Sequence, residues 1–143
     1  MKDLIIKQVD YTIDSEKIIN IRKEVFIKEQ NVPEDIEIDG LDEESIHFLA
    51  FLEKTPIGCA RIRLIDNSAK LERIAILKEY RCKGYGSELT NFLIKYCKVK
   101  NYDKIWLNSQ INVVDFYRKF GFKVRGEKFL EAKIEHLQMY LDR

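Results

Sequence analysis

Leu71-Glu72-Arg73-Ile74-Ala75-Ile76-Leu77, followed shortly by Arg81-Cys82-Lys83-Gly84-Tyr85-Gly86-Ser87, is the stretch on which the fold turns. The first part reads as a buried strand. The glycine-bearing turn leads into Leu89, Phe92, Leu93 and Tyr96, an apolar stripe at helical spacing. A strand feeding such a turn presents free backbone N–H groups, and the positive end of a helix dipole, to an anion. Arg81 and Lys83 add full charges, while Gly84 and Gly86 let the backbone come close to a bulky group. The turn is read as a pyrophosphate grip.

Before it, residues 47–52, 57–65 and 70–77 are apolar runs joined at Lys54-Thr55-Pro56 and Asp66-Asn67-Ser68, which predicts an antiparallel meander. Residues 4–9 form a further strand. Residues 14–28 read as a helix with an Ile18, Ile21, Val25 stripe and Asp14 or Ser15 as N-cap. After the turn come a strand at 104–108, a short helix at 113–120 closed by Gly121, and strands at 122–124 and 134–141. The strand–turn–helix–strand unit can bring the fourth and fifth strands parallel.

At 143 residues the chain is read as one domain, 1–143, and 45% hydrophobic with 34% charged residues describes a globular protein. A net charge of +1 advertises no nucleic-acid partner. No apolar run reaches the roughly 20 residues that cross a bilayer, and nothing at the start reads as a signal peptide. The expectation is a cytoplasmic protein without a membrane partner. Cys59, Cys82 and Cys97 are odd in number and widely spaced, which suits reduced thiols better than disulfides or zinc. Cys82, inside the turn, is a candidate reactive thiol.

Residues 34–44 carry seven carboxylates around Gly40: Glu34, Asp35, Glu37, Asp39, Asp42, Glu43 and Glu44. Their spacing is not that of an EF-hand. A solvated loop is the expected reading. The other is an electronegative lip that draws in a cationic amine.

Taken together, Arg81-x-x-Gly84-x-Gly86 after its strand, and Phe116-Tyr117-Arg118-Lys119-Phe120-Gly121-Phe122 about 30 residues on, resemble the GNAT (GCN5-related) N-acetyltransferases. Arg22-x-x-Val25-Phe26-Ile27-x-Glu29-Gln30-x-Val32-Pro33, with Asp39, Asp42 and His47, resembles the ElaA-like branch of that family. The resemblance implies an α/β (α+β) domain: a mixed, mostly antiparallel sheet of six to seven strands, helices on both faces, and strands 4 and 5 parallel and splayed. It implies an N-acetyltransferase that uses acetyl-CoA as cosubstrate, an amine as acceptor and no metal. The backbone of Ile74, Ala75 and Ile76 would hold pantetheine, and Arg81, Cys82, Lys83, Gly84, Tyr85 and Gly86 would wrap the pyrophosphate, with Ser87 adding a hydroxyl. Gln110 stands where the family commonly has a cofactor-binding Asn, with Asn108 and Asn112 as nearby substitutes. Tyr117 would protonate the leaving thiolate. For the general base the order is Glu29, Glu72, His47, and a water chain without a dedicated base is an equal reading. A longer acyl group, a lysine side chain as acceptor, and a non-catalytic CoA-binding sensor are the rival functions. Dimers through the C-terminal strands would suit the fold.

Overall fold

The computed structural model describes residues 3–141. The chain begins with strand β1 (Leu4–Val9) and helix α1 (Tyr11–Arg22). α1 starts earlier than residue 14 because Asp10 is the cap, its Oδ1 accepting from the Thr12 N–H at 2.9 Å. The helix then widens into a π turn at Lys23–Glu29, a form that often marks functional sites. A short helix α2 (Glu34–Glu37) follows Pro33, then β2 (Ile46–Leu52), β3 (Thr55–Ile65) and β4 (Ser68–Ile76). Asp66 and Asn67 take the positive φ values, 50° and 61°, that a two-residue hairpin turn requires.

After the glycine turn come α3 (Tyr85–Val99), β5 (Lys104–Gln110), α4 (Val114–Arg118), β6 (Phe122–Glu131) and β7 (Ile134–Leu141). β6 runs well past the expected residue 124. A bulge at Gly126 breaks its alternation, and its hairpin turns on Ala132 and Lys133, both at positive φ without glycine or asparagine. The seven strands lie in the order β1-β2-β3-β4-β5-β7-β6, with β4 and β5 parallel and the other described neighbours antiparallel.

Helices cover both faces, as expected. On one, Leu89, Leu93, Ile94 and Cys97 of α3 pack on Phe48, Ile62, Leu71, Ile105 and Leu107. On the other, Ile18, Ile21 and Val25 pack on Leu49, Cys59 and Ala75. Each such fully buried aliphatic side chain contributes about 1.5–3 kcal/mol, so the two layers fix the sheet between them. No helix among the described residues is long and apolar enough to cross a membrane.

The strand pair β4–β5 stays in register from Ser68↔Lys104 to Leu71↔Leu107 and pairs no further, although both strands run on. Arg73 sits at φ 56°, and the β3–β4 register shifts between Cys59 and Arg61. That combination is a bulge in β4. It bends the strand away from β5, so the expected splay has a definite origin at Arg73.

Candidate active site

The splay opens into a cleft of about 380 Å³, with Ile74, Asn108, Gln110 and Tyr117 among its lining residues. α4 brings Tyr117 there, braced edge-on by Phe116 at 5.1 Å and Phe122 at 5.9 Å. Burial pushes its phenol above the ordinary value, so it keeps its proton at neutral pH. On the gap side, β4 has no β5 partner beyond Leu71, while Ala75 and Ile76 still pair with Cys59 and Gly58 of β3.

At the turn, Gly84 is the N-cap of α3 with φ +86°, and a Cβ there would touch nothing within 4 Å. The backbone conformation is what calls for glycine. At Gly86 a Cβ would lie 3.7 Å from the Phe116 ring, an ordinary contact. Lys83 and Cys82 are exposed, and Tyr85 and Ser87 are half-buried. Arg81 donates through Nε to the Ile76 carbonyl at 2.9 Å and through both terminal nitrogens to Glu29. The neighbouring Gln30 accepts from Gln110 Nε2 at 2.8 Å. The end of the π turn therefore straps the two splayed strands, Gln30 directly to β5 and Glu29 through Arg81 to the end of β4.

Of the expected bases, Glu29 is occupied by Arg81, whose hydrogen bond lowers its pKa. Glu72 lines the cleft, but Arg61, Arg63 and Lys70 surround it at 2.8, 2.8 and 2.9 Å. Burial disfavours its charge, yet Arg63 and its cationic neighbours outweigh that and hold the carboxyl at about 2. So basicity is low at both. His47 is buried, with Nε2 2.8 Å from the Asp42 carbonyl oxygen and its ring stacked on Tyr11, and burial lowers its pKa. Asn112 is exposed beside the cleft lining.

The sequence reading passed over His136 and Glu131. Both line the cleft, with His136 Nε2 3.6 Å from Glu131 Oε2 and Nδ1 bonded to the Ile134 carbonyl at 2.7 Å. Alternation along β7, which puts His136 on the same side as Gln138 and Tyr140, was the available signal. Asn108 donates weakly to Glu131 at 3.4 Å, and its Oδ1 is buried without a hydrogen-bond partner among the described residues. A buried acceptor left open is uncommon and suits a ligand N–H.

The acidic segment is not simply a solvated loop. Glu37 and Asp42 are buried, and Asp39 is partly so. Arg22 reaches Glu37 at 2.8 Å and Asp42 at 2.6 Å, Arg61 bridges Asp39, Asp42 and Glu72, and Arg73 meets Glu37 at 2.8 Å. The bulge thus throws Arg73 across to the loop that walls the cleft. Paired in this way, Glu37, Asp39 and Asp42 offer no free charge to an incoming amine, while Glu34, Asp35, Glu43 and Glu44 are exposed.

This network makes stability sensitive to acid. The Glu72 carboxyl is depressed from 4.5 to about 2, so its contribution is present above pH 4.5 and is lost as pH falls towards 2. Asp39 and Asp42 shift the same way despite burial, held by Arg61 and Arg22, whereas burial raises Glu37 and opposes them. Urea titrations should show stability falling by roughly 3 kcal/mol across that window, with Glu72→Gln flattening the slope. An equal slope in the variant would remove Glu72 from the account.

Residues 9–143 match the family model described as an acetyltransferase (GNAT) domain. A Bacillus subtilis protein described as the uncharacterized N-acetyltransferase YjcF is 41% identical over 143 residues, covering 99% of this chain and 100% of its own. Escherichia coli ElaA is 28% identical over 127 residues, 85% of this chain and 83% of that one. Its crystal structure superposes with a TM-score of 0.87 over 98% of this chain and all of its own. A GNAT family acetyltransferase from Elizabethkingia anophelis, solved with acetyl-CoA bound, superposes at 0.76 with 17% identity and full coverage of both chains.

Proposed function

Since the chain belongs to the GNAT acetyltransferase family and is an acyltransferase, we propose that it moves an acetyl group from acetyl-CoA to a primary amine by direct attack. The observation that carries this is the open strand pair with Tyr117 beside it. The gap-facing edge of β4 from Glu72 to Ile76 offers backbone groups to an extended pantetheine arm, as an added strand would use them. The open Asn108 Oδ1 suits an amide N–H of that arm. The α3 N-terminus at Gly84, with the exposed Lys83 beside it, suits the pyrophosphate, while Arg81 ties the turn to Glu29 and the Ile76 carbonyl.

In the reaction the amine nitrogen bonds to the thioester carbonyl carbon, the C–S bond breaks, and Tyr117 gives the departing sulfur its proton. Through water, the amine's own proton passes to His136, whose Nε2 faces Glu131. A covalent acyl-enzyme is not needed. The Cys59 and Cys97 thiols are pushed up to about 12 by burial and are poor nucleophiles.

Acetyl-CoA and CoA should raise the melting temperature where NAD and ATP do not. Gly84→Glu should weaken acetyl-CoA binding tenfold or more in calorimetry, since it adds negative charge and a strained φ at the turn. No shift with either CoA species would refute the cofactor assignment. His136→Gln should lower kcat about tenfold or more with acetyl-CoA affinity nearly unchanged. An unchanged kcat would leave water alone as the acceptor of the proton.

A further inference from the structure

We propose that the acceptor amine carries an anionic group, a carboxylate or a phosphate, bound in a second hollow on the same sheet face against Arg125, Trp106 and Tyr140. This rests on the reading of the cleft as the site of acetyl transfer. Side chains alternate along each strand, so Trp106, Asn108 and Gln110 face away from the buried Ile105 and Leu107. Register sets Lys70, Trp106 and Tyr140 in one row across the sheet, and Asn108, Gln138 and Arg125 in the next. The cluster under α1 takes its strand residues from β2, β3 and β4, which leaves this half of the face outside it. Here lies a hollow of about 430 Å³ lined by Asp103, Lys104, Trp106, Arg125, Gln138 and Tyr140. It adjoins the cleft, because Lys70 and Asn108 line one and their cross-strand neighbours Trp106 and Gln138 line the other.

Charge decides what would lie there. In the network behind the cleft, the carboxylates of Glu37, Asp39, Asp42 and Glu72 are all engaged by the cations of Arg22, Arg61, Arg63, Lys70 and Arg73. Four negative charges against five positive ones leave no attraction for a second ammonium. Glu131, across the cleft, already faces His136. In the hollow, Arg125 lies 4.4 Å over the Tyr140 ring, with Lys104 nearby and Asp103 the one acidic lining residue among those described. A guanidinium stacked on an aromatic ring keeps its N–H edge free for a planar carboxylate or a phosphate. Gln110 and Trp106 are four residues apart on one strand, about 13 Å. The acceptor therefore has a tail of peptide-like length.

The test uses α-acetylated tetrapeptide amides, Lys-Gly-Gly-X, with X as aspartate, phosphoserine, asparagine or lysine, and butylamine as a tailless reference. The aspartate or phosphoserine peptide should exceed the asparagine peptide about tenfold in kcat/KM, the better of the two identifying the anion, and the lysine peptide should be worst. Arg125→Gln should bring the anion-to-asparagine ratio to about one. Trp106 is the chain's one tryptophan, so its fluorescence reports occupancy of the hollow without turnover. Preference for the lysine peptide, a ratio unmoved by Arg125→Gln, or a dimer that buries Trp106 in solution overturns the anion site. Acetylation of butylamine with no discrimination among the peptides does so too, while keeping the acetyltransferase reading. A fluorescence response to the anionic peptide without any acetyl transfer has the opposite meaning.

Discussion

Tyr117→Phe is expected to lower kcat by about 10²-fold or more, some 2.7 kcal/mol of transition-state stabilisation, with acetyl-CoA affinity nearly unchanged. The substitution removes one oxygen and keeps the ring between Phe116 and Phe122, so the packing of α4 on β6 stays as it is. Only the proton donor is lost. Burial keeps the phenol protonated well into the alkaline range, as a leaving-group acid requires. Single-turnover kinetics with saturating acetyl-CoA separates this step from binding. Turnover at the native rate would reduce Tyr117 to a packing residue.

Arg61→Met should cost about 3 kcal/mol or more of folding stability, read as a fall in the urea midpoint at neutral pH. Arg61 is 1% exposed and bridges three carboxylates, Asp39, Asp42 and Glu72. Removing one partner from a buried ionic cluster strands the charges that remain, at a typical cost of 3–5 kcal/mol. The lower figure applies because Arg22 still holds Asp42, and Arg63 and Lys70 still hold Glu72. Arg61→Lys should recover little, since an ammonium cannot bridge three carboxylates in the plane of a guanidinium. An unaltered midpoint in the methionine variant would mean the network is stabilised elsewhere.

The parts legible in the sequence were those written in local periodicity. The meander, the α3 stripe and the turn at Gly84 all follow from spacing and from φ preferences that a reader can apply along the chain. The network of residues 37, 39 and 42 was not legible, because its partners Arg22, Arg61 and Arg73 come from a helix and two strands whose meeting is a tertiary event. Nor did the bulge show itself, since Arg73 adopts positive φ without being glycine. β6 was foreshortened for the same reason: Ala132-Lys133 carries no turn signal, and Gly126 with the charged residues after it hides the strand between 124 and the one read at 134–141. His136 lies within the strand read at 134–141, but no motif marked it as a site residue. At the site, Tyr117 and the glycine turn came from the family motif, while Asn108 Oδ1, His136 and the strap of Glu29 and Gln30 needed coordinates.

The early end of β4–β5 pairing has a consequence for how the molecule breathes. Four residue pairs, Ser68↔Lys104 to Leu71↔Leu107, are the backbone seam between two antiparallel halves. Amides along that line, and along the bare edge beyond it, should exchange with solvent sooner than those inside either half, whose ladders are longer. A pantetheine arm lying in the gap would extend the seam as a temporary strand. Exchange protection would then rise along β4 and β5 together, and the halves would become one cooperative unit only for the duration of a catalytic cycle.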